Sequence, residues 1–94
     1  MPPRVAELLL TAAAVGKLGA RSITASEVEQ LLWNGPTIVR NRRAATVDRS
    51  LLIGMTNGGR CLTLAIEPTV EPSTWLVITG WDSSARERKI IGSS

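Results

Sequence analysis

The chain contains no histidine, no tyrosine and no phenylalanine, and a single cysteine. Without histidine, the side chain that most readily exchanges protons near neutral pH is missing. Any chemistry therefore falls to Arg, Lys, Asp, Glu, Ser or Thr. With Cys61 alone, an internal disulfide is excluded, no histidine–cysteine set remains for a metal, and no cofactor is expected. One unpaired thiol also points to a reducing, cytoplasmic setting. Long apolar runs are absent too. Leu8–Val15 is bounded by Glu7 and Lys17 and falls well short of the ~20 residues that cross a bilayer, so no membrane partner is expected. Arg4 before that run and alanines after it invite a signal-peptide reading, but Glu7 interrupts the approach and favours a core helix.

What is present describes one small globular domain spanning residues 1–94. Hydrophobic residues are 44% and charged residues 20%, a balance that can sustain a core and argues against global disorder. The net charge of +3 makes an anionic partner reasonable but is mild for a dedicated nucleic-acid binder.

Along the chain, Pro2-Pro3 suits a helix entry, and Val5, Leu8, Leu9, Ala12 and Val15 recur at helical spacing, ending at Gly16 and Gly19. Thr24 and Glu27 have capping-box spacing, with Ile23 placed as a hydrophobic staple for a second helix carrying Val28, Leu31 and Leu32. Asn34-Gly35-Pro36 stops it. Thr37–Arg42 and Asp48–Met55 read as strands, and Arg60–Glu67 as the hairpin partner of the second across Thr56-Asn57-Gly58-Gly59. Asn-Gly supplies the positive backbone angles of a tight turn. Leu62, Leu64 and Ile66 alternate with Thr63, Ala65 and Glu67, as on a strand with one buried face. Pro68–Pro72 is a loop and Thr74–Thr79 a β-branched strand. A short basic helix then begins at Asp82 or at Ser84, which has Glu87 at capping-box spacing. The expected class is α+β: two N-terminal helices, a four-stranded antiparallel sheet and a short C-terminal helix.

Functional candidates are basic. Arg86, Arg88 and Lys89, with Glu87 among them, form either a phosphate-gripping cluster or a solvated helix end favoured by the dipole. Arg60, directly after the hairpin turn, could face the same surface. Arg40, Arg42 and Arg43 either track a nucleic-acid backbone or protect a sheet edge. Trp81 beside Asp82 either stacks on a base, packs in the core or covers a groove for a protein partner. Cys61 reads as a small buried hydrophobe.

Taken together, Asp48-Arg49, Gly58-Gly59-Arg60, the apolar strand to Glu67, and Trp81-Asp82-Ser83-Ser84 followed by Ala85-Arg86-Glu87-Arg88 resemble BrnT-type toxins of bacterial type II toxin–antitoxin systems. Lys17-Leu18-Gly19 followed by Ser22 and Glu27 looks like a degraded form of that family's Lys-His-Gly loop and helix. The resemblance spans roughly Lys17–Arg88. It implies a RelE/ParE-like fold and a metal-independent endoribonuclease acting on RNA. It also implies a heteromeric complex with a cognate antitoxin of ribbon-helix-helix or similar DNA-binding type. On that resemblance Arg60, Arg86 and Arg88 hold the scissile phosphate, and Glu87 or Lys17 transfers protons. Arg40, Arg42, Arg43, Lys89 and Trp81 are then the candidates, from their own chemistry, to line the nucleic acid. Two departures stand out: Leu18 replaces the family's histidine, and Pro2–Val15 looks helical where the family has an acidic strand. The alternative is a non-catalytic binding module gripping a protein or nucleic acid. A gyrase-directed toxin of the ParE type is a third reading.

Overall fold

A computed structural model describes residues 5–40 and 50–92. The elements in order are β1 (Glu7–Leu10), α1 (Ala12–Gly19), α2 (Ala25–Trp33), β2 (Thr37–Arg40), β3 (Ser50–Met55), β4 (Cys61–Pro68), β5 (Thr74–Asp82) and α3 (Ala85–Gly92). They build a five-stranded sheet in the order β1-β5-β4-β3-β2. β1 runs parallel to β5, and the other pairs are antiparallel.

This corrects the expected fold class: the sheet has five strands rather than four and is mixed rather than antiparallel. The difference lies in the N-terminal run, expected to be helical through Val15. Leu8 pairs with Trp75 and Leu10 with Val77, so Leu8 and Leu10 pack against the core while Leu9 turns outward. Thr11 then caps α1 by accepting from the Ala14 amide at 3.1 Å. The leucines satisfy both periods, and the unpaired edge of β5 selects the strand. Gly16, expected to end a helix, lies inside α1.

The second helix follows its sequence signals. Thr24 and Glu27 form a reciprocal capping box, with Thr24 Oγ1 accepting from the Glu27 amide and Glu27 Oε1 from the Thr24 amide. Ile23 and Val28 are both buried, as the staple requires. Asn34 ends α2 and donates to the Met55 carbonyl at 2.8 Å and to Asn57 Oδ1 at 3.0 Å. This ties the helix end to the hairpin.

At the β3–β4 turn, the expected hairpin is present but its geometry differs. The Gly59 amide donates to the Thr56 carbonyl, the Thr56 amide to Arg60 O, and the positive φ of +86° belongs to Gly59 rather than to Asn57-Gly58. That is the arrangement of a turn closed by a left-handed glycine.

Leu18, Val28 and Leu31 from the helices and Ile23 from the turn between α1 and α2 pack on Leu52, Leu62, Leu64, Ile66, Trp75 and Val77. Gly80 makes this approach possible. A Cβ there would lie 2.6 Å from Leu64 Cδ2 and 2.9 Å from Leu18 Cδ2. β4 is central, and Thr63 and Ala65 are buried as fully as the leucines they alternate with. Both faces of β4 are therefore covered, where one buried face was expected. On the other side Thr63 Oγ1 lies 2.8 Å from Ser83 Oγ, and α3 packs across toward β3. Among the described residues, no helix is long and apolar enough to cross a membrane.

Candidate functional site

Two polar hubs, one centred on a guanidinium and one on a carboxylate, sit at the end of the sheet where β4, β5 and α3 meet. The first is built on Arg60. Its Nε donates to Asp82 Oδ1 at 2.7 Å and its Nη2 to Asp82 Oδ2 at 3.1 Å, a bidentate pair. Nη1 donates to the Ser22 carbonyl at 2.7 Å and reaches Glu27 Oε1 at 3.4 Å, while Nη2 also donates to the Arg21 carbonyl at 3.0 Å. Strand register explains the meeting. Arg60, immediately before β4, alternates to the same side as Leu62, and Leu62 stands opposite Asp82, so the Arg60 and Asp82 side chains meet beside the α1–α2 turn. That turn bends sharply: Ser22 has φ +59°, a left-handed backbone that a non-glycine residue seldom adopts. One guanidinium thus binds a strained turn, the first turn of α2 and the end of β5.

The charges respond accordingly. The Asp82 hydrogen bond holds the Arg60 guanidinium above its ordinary range, against some desolvation and with help from the charges of Asp82 and Glu27. The Asp82 carboxyl is held below the usual range by the Arg60 hydrogen bond, against desolvation and with the fields of Arg60 and Arg88 adding to it.

The second hub is Glu87. Its Oε1 accepts from the Ser84 amide at 2.8 Å while the Glu87 amide donates to Ser84 Oγ, so Ser84 rather than Asp82 caps α3. Asp82 is spent on Arg60. The Trp81 indole N–H donates to Glu87 Oε1 at 3.1 Å. Desolvation pushes the Glu87 carboxyl up, but bonds from the Ser84 amide, Trp81, Thr63 and the Ser84 hydroxyl together outweigh it and leave the group below the usual carboxylate range.

Between the hairpin and α3 lies a cleft of about 420 Å³ lined by Met55, Gly59, Arg60, Cys61, Arg88 and Ile91. Arg60 and Arg88, expected to act together, are brought together here. Arg86 and Arg88 are exposed, and among the described residues no carboxylate is hydrogen-bonded to either guanidinium. Lys89 follows them on α3. Lys17 sits in the last turn of α1, exposed and outside the cleft lining. Trp81 is half-buried, and its indole serves Glu87. Cys61 is buried in the cleft wall. Arg40 closes β2 at the sheet edge away from this cleft, whereas Arg42 and Arg43, with Asp48 and Arg49, lie outside the described residues. Among the described residues no cluster of three His, Cys, Asp or Glu side chains could hold a metal ion.

Sequence reasoning passed over Asp82 and Glu27 as partners of Arg60. The signal was available in the register, since a hairpin at residues 56–59 and a strand running to Asp82 set Arg60 diagonally across from that aspartate.

In comparison with known proteins, no family model, no curated protein and no solved structure matches the chain.

Proposed function

We propose that the chain is the toxin component of a type II toxin–antitoxin pair, acting on RNA in the cytoplasm and silenced by a cognate antitoxin in a heteromeric complex. The observation that carries this reading is the cleft itself. It joins the Gly59-Arg60 turn to the basic helix, two of the segments on which the resemblance to BrnT-type toxins rests. Of the two departures from that family, the N-terminal one is narrowed, since Glu7–Leu10 is a strand, and the other stands, with Leu18 buried in the core.

In this mechanism the exposed guanidiniums of Arg88 and Arg86 grip a backbone phosphate. RNA supplies its own nucleophile: the 2′-oxygen attacks phosphorus, the bond to the 5′-oxygen breaks, and the arginines offset charge building on the phosphorane. Arg60 has its donors committed to Asp82, Glu27 and two carbonyls, so it acts by positioning the turn. Water carries the protons, since Glu87 is bound up by Ser84 and Trp81 and Lys17 lies apart from the cleft lining.

That last point gives a second reading its specific support: a module of this shape that grips nucleic acid without cleaving it. A single-turnover assay with purified chain and a defined RNA separates the two. Cleavage lost in Arg88→Ala supports the toxin reading, binding without cleavage supports the module, and neither binding nor cleavage rejects both.

A further inference from the structure

A second groove lies away from the basic cleft, between β1 and α2. It is walled by Leu8 and Leu10 of the strand and by Leu32 and Trp33 of the helix, with Glu7 and Glu29 at its rim. Trp33 is 77% exposed and Leu9, on the outward side of the same strand, 41%. An exposed tryptophan is an unusual expense in a chain with three, and such residues commonly anchor partners. β1 is also an edge strand: among the described residues its sole sheet partner is β5, and no other described strand pairs with its outer edge.

We propose that this groove docks an extended, cationic segment of another protein, added as a strand beside β1. Three features select that occupant. The free edge offers backbone groups to an incoming strand. The cavity, about 170 Å³, admits one apolar side chain, since about 150 Å³ suffices for a benzene ring. Glu7 and Glu29 make no ion pair or side-chain hydrogen bond among the described residues, so they are available to lysine or arginine flanking the apolar residue. The recognised pattern is an apolar residue bracketed by basic ones at strand spacing. This inference does not rest on the RNA reading, because none of its residues lines the basic cleft.

The charge makes the test discriminating. The whole chain carries +3, so attraction to overall charge would select acidic peptides, whereas this groove selects basic ones. The experiment is display selection of random nonapeptides on the purified full chain, followed by affinity measurement of the enriched peptides. Enrichment of an apolar residue flanked by Lys or Arg is expected, with binding weakened about tenfold or more by Trp33→Ala and by Glu7→Gln with Glu29→Gln. Binding by Arg88→Ala should be unchanged. Circular dichroism confirms that each variant folds. Enrichment of acidic peptides, of none, or of peptides indifferent to these variants overturns the proposal. So does a dimer of the chain that Trp33→Ala abolishes, or peptide binding that appears only after residues 1–4 are deleted. The first would assign the groove to a second copy, the other to the chain's own N-terminus.

Discussion

Arg60 meets Asp82 through two parallel hydrogen bonds of 2.7 and 3.1 Å while its remaining N–H groups hold the carbonyls of Ser22 and Arg21. The pair is therefore a clamp between β5 and the α1–α2 turn, and Arg60, though it lines the cleft, is a structural residue. Arg60→Ala should lower the thermal midpoint clearly more than Arg86→Ala or Arg88→Ala, which should scarcely move it. Arg60→Lys should recover little, because an ammonium cannot fork onto Asp82 and reach two carbonyls at once. Equal midpoints for all four variants, read by calorimetry, would refute the clamp.

Gly80 should tolerate no side chain. An added Cβ meets Leu64, Leu18 and the Thr63 carbonyl at 2.6, 2.9 and 3.1 Å, so Gly80→Ala must push α1 away from the sheet. A loss of about 1–3 kcal/mol is expected in urea unfolding. Gly16→Ala, where nothing lies within 4 Å, should be neutral or stabilising by a few tenths of a kcal/mol.

Acid should weaken the fold through two carboxylates. Asp82 and Glu87 are both held below their ordinary range in the folded state. Their contribution is thus complete above the unfolded-state values of about 3.9 and 4.3 and disappears as pH falls through the lowered folded values. The urea midpoint should hold steady from neutrality to about pH 5 and then decline. Asp82→Asn and Glu87→Gln should each lower the neutral-pH midpoint and flatten that decline. A decline as steep in the double variant would assign the acid sensitivity to other groups.

On RNA, Arg88→Ala and Arg86→Ala should each reduce the slope of log affinity against log salt by about one, as expected when one phosphate contact is lost. If the chain cleaves, Arg88→Ala should also slow the single-turnover step about a hundredfold. An unchanged salt slope in both variants would remove α3 from the nucleic-acid surface.

The capping-box signal at Thr24 and Glu27 was legible because caps are local: two residues three apart satisfy each other whatever the rest of the fold does. The same holds for Ser84 and Glu87, and for the position, though not the backbone angles, of the turn at residues 56–59. The N-terminal strand was not legible. Leu8, Leu9 and Leu10 fit a helix stripe as well as a strand, and their true partner, β5, lies far along the chain. The cleft was half legible. Spacing could place Arg60 beside a turn and Arg88 on a helix, but only strand register reveals that Asp82 claims the first before any ligand can. Glu87 shows the same limit, since its value as a base is decided by Trp81 and Ser84.

The parallel pairing of β1 with β5 sets a schedule for folding. Leu8 faces Trp75 and Leu10 faces Val77, so the first strand gains its one sheet neighbour among the described residues after nearly everything between them has been made. Loop closure over that span is entropically costly and delays assembly. Until β5 arrives, the hairpin of β3 and β4 can form locally, while Leu8, Leu9 and Leu10 stay an unpaired apolar strand open to other chains. Refolding should therefore show early hairpin protection in hydrogen exchange and late protection of Leu8–Leu10. A molecule cut before Thr74 should aggregate through its first strand rather than fold as a smaller sheet.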